Sequence, residues 1–264
     1  MSRETKCPGD EHACDDTRIR DALADLDGSI PGTAQAYEYA SHRNRYASDA
    51  KQILRNHAGG ELLEIGSAPC HSTALLTLLG IRVVGVDLRP RRCAKLVQRY
   101  GLDVRQCDIE REALPFADAS FPTALLAETL EHLRVDPLFT LSEINRVLEP
   151  GGRLLLTTPN LYALQNIARF LLGRGITDGL TEFAKLRHIG HMGHVREYTH
   201  GEVRRLLHAH GFEIRERDFR HYHYPRGKRG LAARLAFTIL PRRFRTYQVV
   251  VAEKTAEGPR LAPL

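Results

Sequence analysis

A short motif of acidic residues and histidine, E-x-x-E-H, follows an apolar run near the middle of the chain. Its members are Glu128, Glu131 and His132. In a helical turn, positions i, i+3 and i+4 share one face, so two carboxylates and an imidazole would converge. Carboxylates this close either share a proton or hold a cation, and a mixed oxygen and nitrogen donor set suits a divalent metal. The motif therefore predicts a site for a metal or for proton transfer.

Histidine recurs downstream at three-residue spacing. The members are His188, His191 and His194, and the glycines between them disfavour a stiff helix. We predict a folded-over loop for this segment.

Residues 61–89 have the pattern of a ligand-binding unit. An apolar run breaks at Gly66, leucines follow at helical spacing, and a second apolar run ends at Asp87. The pattern predicts a strand, a turn, a helix and a second strand of a parallel sheet. Asp87, about 20 residues after the turn, is placed to accept hydrogen bonds from ribose hydroxyls. The turn lacks the G-x-G-x-x-G of a dinucleotide site, so the sequence predicts a different nucleoside-bearing cofactor.

The turn resembles the first motif of class I S-adenosylmethionine-dependent methyltransferases, through Glu64 followed by Gly66-Ser-Ala-Pro. The resemblance covers roughly residues 37–254 and includes the acid after the third strand and the helix, turn and strand of residues 143–160. It implies an α/β Rossmann-like fold, with a mostly parallel seven-stranded sheet, an antiparallel last strand and helices on both faces. It also implies that S-adenosyl-L-methionine is bound by Glu64, Gly66, Ser67, Ala68, Asp87, Asp108, Ile109 and Arg45.

Two further features bear on this cofactor site. Ala68 and Cys70 stand where the resembled family often has glycines, so the bulkier Cys70 needs a compatible backbone conformation. A helix is predicted before the first strand, and in the resembled family such a helix lies over the cofactor pocket. Arg43, Arg45 and Tyr46 are then candidates to approach the cofactor carboxylate or the substrate, and a solvated basic face is the alternative.

The E-x-x-E-H motif resembles the metal site of two methyltransferase families. The O-methyltransferases of ubiquinone synthesis carry such a site, and the small-RNA 3′-terminal 2′-O-methyltransferases add a histidine from a His-x-aromatic-Glu-aromatic-Thr segment. Residues 194–199, H-V-R-E-Y-T, are similar to that segment, with Arg196 in an aromatic place. Bacterial glycan-modifying methyltransferases have similar G-H-V-R-E-Y-T runs, which implies a sugar acceptor. The metal ligands implied by the resemblance are Glu128, Glu131, His132 and His194.

These resemblances imply O-methylation of a sugar hydroxyl that lies beside a second hydroxyl. A bound Mg²⁺, Mn²⁺ or Zn²⁺ would lower the pKa of the hydroxyl, whereas without a metal His132 or His194 would be the general base. A catechol-like or other small natural product is the alternative acceptor. A scaffold that binds the cofactor without chemistry is the alternative from another class. The plainest interpretation is that Glu131 and His132 cap a helix and the downstream histidines lie on a loop.

The composition indicates a single core. With 264 residues and 42% hydrophobic residues, the chain can bury one sizeable core. The N-terminal segment has eight acidic residues against four Lys and Arg and little evident periodicity, so we predict a flexible leader. The expected organisation is a leader over 1–34, one methyltransferase domain over 35–254 with insertions at 161–200 and 220–246, and a tail over 255–264.

The apolar runs and the cysteines bear on the compartment. No run approaches the roughly 18 residues of a membrane span, and the first residues are polar, so we expect a cytoplasmic protein. Cys70, Cys93 and Cys107 fall in predicted core elements, which favours reduced thiols. Cys7 and Cys14 are interpreted as free thiols of the leader, with a disulfide or half a metal site as the alternatives.

The positive charge favours an anionic partner. The net charge is +6 and the pI about 9.2. Segment 226–245 alternates apolar residues with Arg234, Arg242 and Arg243, as in an amphipathic helix that lies on an anionic membrane. The alternative packs its apolar residues onto the sheet and leaves a solvated basic rim. Nucleic acid is not expected, because no aromatic-rich basic groove is evident.

Overall fold

Seven strands in one sheet form the framework of the protein. The computed structural model describes residues 8–30, 34–189, 193–222, 224 and 227–264. The strands are β1 (Glu61–Ile65), β2 (Arg82–Asp87), β3 (Asp103–Gln106), β4 (Phe121–Ala127), β5 (Leu148–Pro159), β6 (Phe212–Arg220) and β7 (Tyr247–Lys254). Their order in the sheet is β3-β2-β1-β4-β5-β7-β6. Strand β1 pairs parallel with β2, β2 with β3 and β4 with β5, whereas β7 is antiparallel to both β5 and β6. The predicted fold class, including the antiparallel last strand, is confirmed.

Helices alternate with most of the strands, and two helices precede β1. They are α1 (Pro8–Asp27), α2 (Ala34–Asn56), α3 (His71–Leu78), α4 (Ala94–Tyr100), α5 (Pro137–Val147), α6 (Leu164–Leu171), α7 (Gly179–Ile189), α8 (His200–Ala209) and α9 (Lys228–Ile239). Short 3₁₀ turns cover Pro90–Cys93, Leu130–His132 and Arg242–Phe244. The chain divides into two compact units, Met1–Gln106 and Cys107–Leu264, called here unit 1 and unit 2. Within the described residues, no helix combines the length and the apolar character needed to cross a bilayer.

The expected leader over residues 1–34 is instead a helix over Pro8–Asp27. Ile19, Ala22, Leu23 and Leu26 are buried, and their i, i+3, i+4, i+7 spacing forms one apolar stripe. The acid-rich composition concealed this stripe, because its acids lie on the other face. Two of these acids fasten α1 to α2. Asp16 pairs with Lys51 at 2.6 Å, and Asp27 accepts the hydroxyl of Tyr39 at 2.8 Å.

The expectation of reduced thiols is wrong for two of the cysteines. Cys70 and Cys93 form a disulfide, with their Cα atoms 5.8 Å apart. The two residues are 23 positions apart in sequence, but the parallel pairing of β1 and β2 brings the segments that follow these strands to one edge of the sheet. Cys107 is free and buried, and Cys14 is free and exposed. Cys7 lies outside the described residues.

The core of unit 2 is built on β5 and β7. Their central residues are buried on both faces, as expected for near-continuous apolar strands in the middle of a covered sheet. A buried lysine completes this core: the Lys254 ammonium donates to the carbonyls of Asn145 at 2.8 Å and Leu148 at 3.0 Å. The bonds satisfy a charge that would be costly to bury alone.

Candidate functional site

The loop after β1 is tied by its backbone to the end of β2. Gly66 and Ser67 both donate their N–H groups to the Val86 carbonyl, at 2.9 and 3.1 Å. The Asp87 carboxylate accepts the N–H of Ala68 at 3.0 Å and that of Arg89 at 2.7 Å. A carboxylate has about four acceptor positions, so Asp87 retains capacity for a ligand diol. The predicted cofactor residues of this loop therefore lie together, in a form that fits a nucleoside.

Two backbone positions make this loop possible. Cys70 has φ of 65°, in the left-handed region, so the sequence-based expectation that it needs a special conformation is confirmed. Gly85 of β2 lies against the loop, because a Cβ there would sit 2.8 Å from the Ser67 Oγ. Sequence reasoning missed Gly85, although a lone glycine inside an apolar strand signals close backbone approach.

Glu64 is a buried acid at the base of the loop. It is almost fully enclosed, and its carboxylate accepts the Thr73 hydroxyl at 2.6 Å. Burial raises the pKa of Glu64 to about 8, while the Thr73 hydrogen bond and the charge of Arg45 oppose that rise. The carboxyl is thus largely protonated at neutral pH, and a ligand cation placed beside it would favour its ionised form.

Helix α2 places aromatic and basic side chains near the same loop. The Tyr46 hydroxyl lies 3.2 Å from His71 Nδ1, and burial lowers the pKa of His71 to about 4. Arg45 is buried, lies 4.7 Å above the Tyr46 ring and pairs with Asp49 at 3.8 Å. Arg45 therefore remains a candidate for the cofactor carboxylate.

Arg43 has a different role from the one considered for it. Its guanidinium binds Asp27 of α1, with the closest N···O distance 2.9 Å, and this pairing lowers the pKa of Asp27. The side chain fastens α2 to α1.

In unit 2, the predicted adenine-binding segment is joined to the E-x-x-E-H turn. Asp108 accepts the N–H of Glu110 at 3.2 Å, and the Ile109 carbonyl accepts the Thr140 hydroxyl at 2.9 Å. One carboxylate oxygen of Glu110 accepts three successive backbone N–H groups, from Arg134, Val135 and Asp136, at 2.7, 2.6 and 3.0 Å. This junction, which sequence reasoning missed, holds the chain directly after His132.

Three of the four predicted metal ligands lie together. One ligand atom from each of Glu131, His132 and His194 lies within 4.8 Å of the others. Glu131 is fully buried and accepts the Thr158 hydroxyl at 2.9 Å, whereas His132 is exposed and His194 is half-buried. The group is called here the Glu-His-His cluster. One carboxylate oxygen and two imidazole nitrogens are ligands that Zn²⁺ and other divalent metals accept.

Glu128, the fourth predicted ligand, is not part of the cluster. Its backbone has φ of 49°, and its N–H donates to the Thr157 carbonyl at 2.8 Å. The predicted helical turn is a short 3₁₀ helix that begins only at Leu130, so Glu128 and Glu131 do not share the face of an α-helix. His188 ends up exposed on α7, and His191 lies outside the described residues.

Both imidazoles of the cluster are oriented through Nδ1. His132 Nδ1 lies 2.7 Å from the Gly193 carbonyl, and His194 Nδ1 lies 3.3 Å from the Glu197 carboxylate. Since both partners are acceptors, neutral rings carry their proton on Nδ1 and a lone pair on Nε2. Metal-binding histidines characteristically have such outer partners.

The outer partners are held by the two helices of the insertion. Asn166 of α6 donates to Glu197 at 2.8 Å, and Glu182 of α7 accepts the N–H of Gly193. Residues 195–196 dock on the Glu131 carbonyl, with the Val195 N–H at 2.8 Å. The insertion therefore sets the geometry of the cluster, a role that the sequence did not indicate for Asn166 or Glu182.

The fold and the cofactor loop resemble those of class I S-adenosylmethionine-dependent methyltransferases, and comparison with known proteins finds the same similarity. Residues 63–156 match the family model described as a methyltransferase domain. A probable S-adenosylmethionine-dependent methyltransferase of Mycolicibacterium smegmatis is 30% identical over 190 residues, which are 71% of this chain and 64% of that protein. A ubiquinone biosynthesis O-methyltransferase of Cereibacter sphaeroides is 30% identical over 134 residues, 48% of this chain and 54% of that protein. The chain thus spans less than two thirds of each relative.

Solved structures agree on the fold. A methyltransferase of Thermotoga maritima superposes with a TM-score of 0.56 at 21% identity, covering 84% of this chain and 95% of that one. The 1,6-didemethyltoxoflavin-N1-methyltransferase of Burkholderia thailandensis, solved with S-adenosylhomocysteine, has a TM-score of 0.53 at 22% identity and covers 97% and 94%.

Proposed function

We propose that the protein is an S-adenosylmethionine-dependent O-methyltransferase that acts on a hydroxyl flanked by a second hydroxyl, most simply on a sugar or glycan, with a divalent cation at the Glu-His-His cluster. The observation that carries the proposal is this convergence of one carboxylate and two oriented imidazoles, drawn from segments about 60 residues apart. The group runs from the buried Glu131 to the exposed His132, so it suits a metal that binds acceptor oxygens at the surface.

The roles of the residues follow from their positions. When bound, S-adenosylmethionine supplies an electrophilic methyl group on a sulfonium, and a metal in the cluster would supply Lewis acidity toward the acceptor hydroxyl. Asp87 would hold the ribose hydroxyls, Asp108 the adenine amine, and Glu64 and Arg45 the charged amino-acid end. Glu131, His132 and His194 would hold the metal. Glu197 and the Gly193 carbonyl keep both Nε2 lone pairs available.

A general-base mechanism is the alternative at the same cluster, because the Nε2 lone pair of His132 or His194 could take the hydroxyl proton directly. The His194→Ala variant separates the two mechanisms. A ligand role predicts that turnover falls and returns in part at high Mg²⁺, Mn²⁺ or Zn²⁺. A base role predicts a loss that no metal concentration rescues.

A small aromatic diol is the second candidate acceptor, favoured by the O-methyltransferase of ubiquinone biosynthesis among the relatives. Labelled methyl transfer to a panel of glycans, free sugars and catechols would separate the two acceptor classes. Transfer to catechols alone would overturn the sugar proposal. Calorimetric titration with S-adenosylmethionine tests the alternative of a non-catalytic scaffold. Heat of cofactor binding without methyl transfer to any acceptor would favour that alternative.

A further inference from the structure

Large apolar side chains are exposed on both helices of the insertion. Leu171 at the end of α6 is 83% exposed, and Leu180 at the start of α7 is 79% exposed. Phe170, Leu172 and Phe183 are exposed beside them in sequence. Contiguous exposed apolar side chains of this size mark an interaction surface more often than a solvated one.

Helix α9 presents a second set of exposed apolar residues. Leu231, Leu235 and Ile239 are all more than 60% exposed, and their four-residue spacing places them along one face of the helix. The sequence-based alternative in which the apolar residues of segment 226–245 pack on the sheet does not hold for these three. They are not core residues.

Direct contacts join the entry to α6 with the turn that follows α9. The Tyr162 ring stacks on Phe244 with centroids 5.7 Å apart. The Asn160 side chain donates to the carbonyls of Arg243 and Arg245, both at 2.8 Å. These contacts place the start of α6 beside the turn after α9, and we group the exposed apolar residues of α6, α7 and α9 under one name, the apolar face.

The polar groups next to the apolar face are mainly basic. Arg217, Arg242 and Arg243 line a shallow pocket on the turn after α9, in which Asp218 is the acidic member. Segment 215–245 as a whole has ten Lys and Arg against two acids. Two copies of so basic a surface would repel each other, whereas anionic lipid headgroups complement it.

We propose that the apolar face docks the protein on an anionic lipid bilayer, with the leucines of α6, α7 and α9 in the interface and the arginines on the headgroups. Amphipathic helices bind membranes through this combination of apolar area and basic charge. The docked helices would also be linked to the Glu-His-His cluster through the partners of its histidines. Asn166 of α6 binds Glu197, and Glu182 of α7 binds Gly193. If the proposed function holds, the acceptor hydroxyl is carried by an amphipathic molecule at the membrane surface.

Vesicle co-sedimentation tests the docking without any turnover. Wild-type protein is mixed with vesicles of phosphatidylcholine alone or with added phosphatidylglycerol. We expect strong binding only to the anionic vesicles, and a loss of about tenfold or more in Leu171→Ser/Leu180→Ser, since each leucine contributes roughly 1.4 kcal/mol or more when buried. Arg242→Glu/Arg243→Glu should remove the preference for anionic lipid. The matched control is Leu264→Ser, because Leu264 is 85% exposed but lies outside the apolar face.

Three results would overturn the proposal: no wild-type binding to anionic vesicles, equal binding by the double leucine variant, or equal binding to both lipid compositions. Concentration-dependent dimerisation of the wild type, abolished by Leu171→Ser/Leu180→Ser, would assign the face to a second copy instead. Circular dichroism and thermal melting would establish that each variant is folded. Because binding is measured without an acceptor, its failure is distinguishable from failure of the proposed methyl transfer.

Discussion

The cofactor loop of unit 1 and the Glu-His-His cluster of unit 2 are assembled in different ways. In the loop, the bonds described above join residues about 25 positions apart or fewer, from the Thr73 bond to Glu64 up to the disulfide between Cys70 and Cys93. In the cluster, His132 depends on Gly193, a separation of 61 residues. Closing a longer loop costs more chain entropy, and the support must come from other elements.

The difference teaches that the two sites should fail differently. The loop has redundant local bonds, so one substitution should weaken a ligand contact and leave the loop in place. The cluster depends on α6 and α7, whose exposed residues suggest few stabilising contacts of their own. Loss of one outer partner should therefore weaken metal binding at the cluster before it affects the fold.

The largest expected effect is on the cluster. Exhaustive chelation should reduce turnover by more than about 100-fold while binding of S-adenosylmethionine is retained. A metal at the Glu-His-His cluster would contribute several kcal/mol to the reaction but would not contact the cofactor loop. Turnover and calorimetric cofactor binding are measured on the same chelated sample, and re-addition of metal is the control. Full activity with no metal detected by elemental analysis would rule out the metal and leave the imidazoles as bases.

The second effect is a pH dependence of the free energy of unfolding, and it arises from Glu64 in unit 1. Because the pKa of Glu64 is raised to about 8 from 4.5, the folded state binds more protons than the unfolded state between these values. The contribution of Glu64 to the free energy of unfolding of the unliganded protein should therefore fall as pH rises from 4.5 toward 8 and level off above 8. The lowered pKa of His71, about 4 against 6.5, contributes in the opposite direction below pH 6.5, so the Glu64 contribution is isolated by comparing variant with wild type. Glu64→Gln removes it, so the stability of the variant relative to wild type should rise by a few kcal/mol across that range, at about 1.4 kcal/mol per pKa unit.

Urea unfolding at several pH values measures the Glu64 effect. Glu61→Gln, at the exposed end of the same strand, is the matched control. A difference between Glu64→Gln and wild type that does not change with pH would contradict the buried, protonated state of Glu64.

The third effect is on cofactor affinity. Asp87→Asn removes a charged acceptor for the ribose hydroxyls and weakens the bonds from Ala68 and Arg89, so the Kd for S-adenosylmethionine should rise about ten- to hundredfold. Asp103→Asn, in the exposed β3, should leave the Kd unchanged. An unchanged Kd in folded Asp87→Asn would remove the assignment of this loop to the cofactor.

The smallest effect concerns a positioning residue. Glu197→Gln should raise the metal concentration needed for half-maximal turnover by about tenfold, because His194 loses a charged partner on Nδ1. Maximal turnover at saturating metal should be close to wild type, and the exposed Glu216→Gln serves as the control. A loss of turnover that metal cannot restore would show that Glu197 has a different role.

The local parts of the molecule were accessible from the sequence. Gly66 and Asp87 follow apolar runs whose spacing allows few structures, and the structure places the residues around them together. The buried residues of helix α1 also lie at i, i+3, i+4 and i+7, but the acid-rich composition of the segment obscured this pattern in the sequence. The stripe, which decides burial, should have taken precedence over the net charge.

The parts that were missed depend on contacts between distant segments. Glu110 holds three backbone N–H groups more than 20 residues away, and Asn166 reaches Glu197 across 31 positions. No local spacing encodes such bonds. The prediction that Glu128 is a metal ligand was wrong for a related reason. The E-x-x-E-H motif brings its side chains together only if a helical turn begins at Glu128, whereas the turn begins at Leu130.

The bridge between Cys70 and Cys93 puts a covalent tether at a left-handed position that glycine would occupy without strain. A left-handed residue other than glycine costs about 1 to 2 kcal/mol, yet a cross-link across 23 residues lowers the entropy of the unfolded chain by an amount worth about 3 kcal/mol. Glycine at position 70 would remove the cost of the left-handed conformation but would lose the stabilisation by the disulfide. The turn that would meet the cofactor is thus reinforced by a disulfide at a position where glycine would give only backbone freedom. When thiols reduce the disulfide, the hydrogen bonds of Asp87 and Glu64 remain to hold the turn.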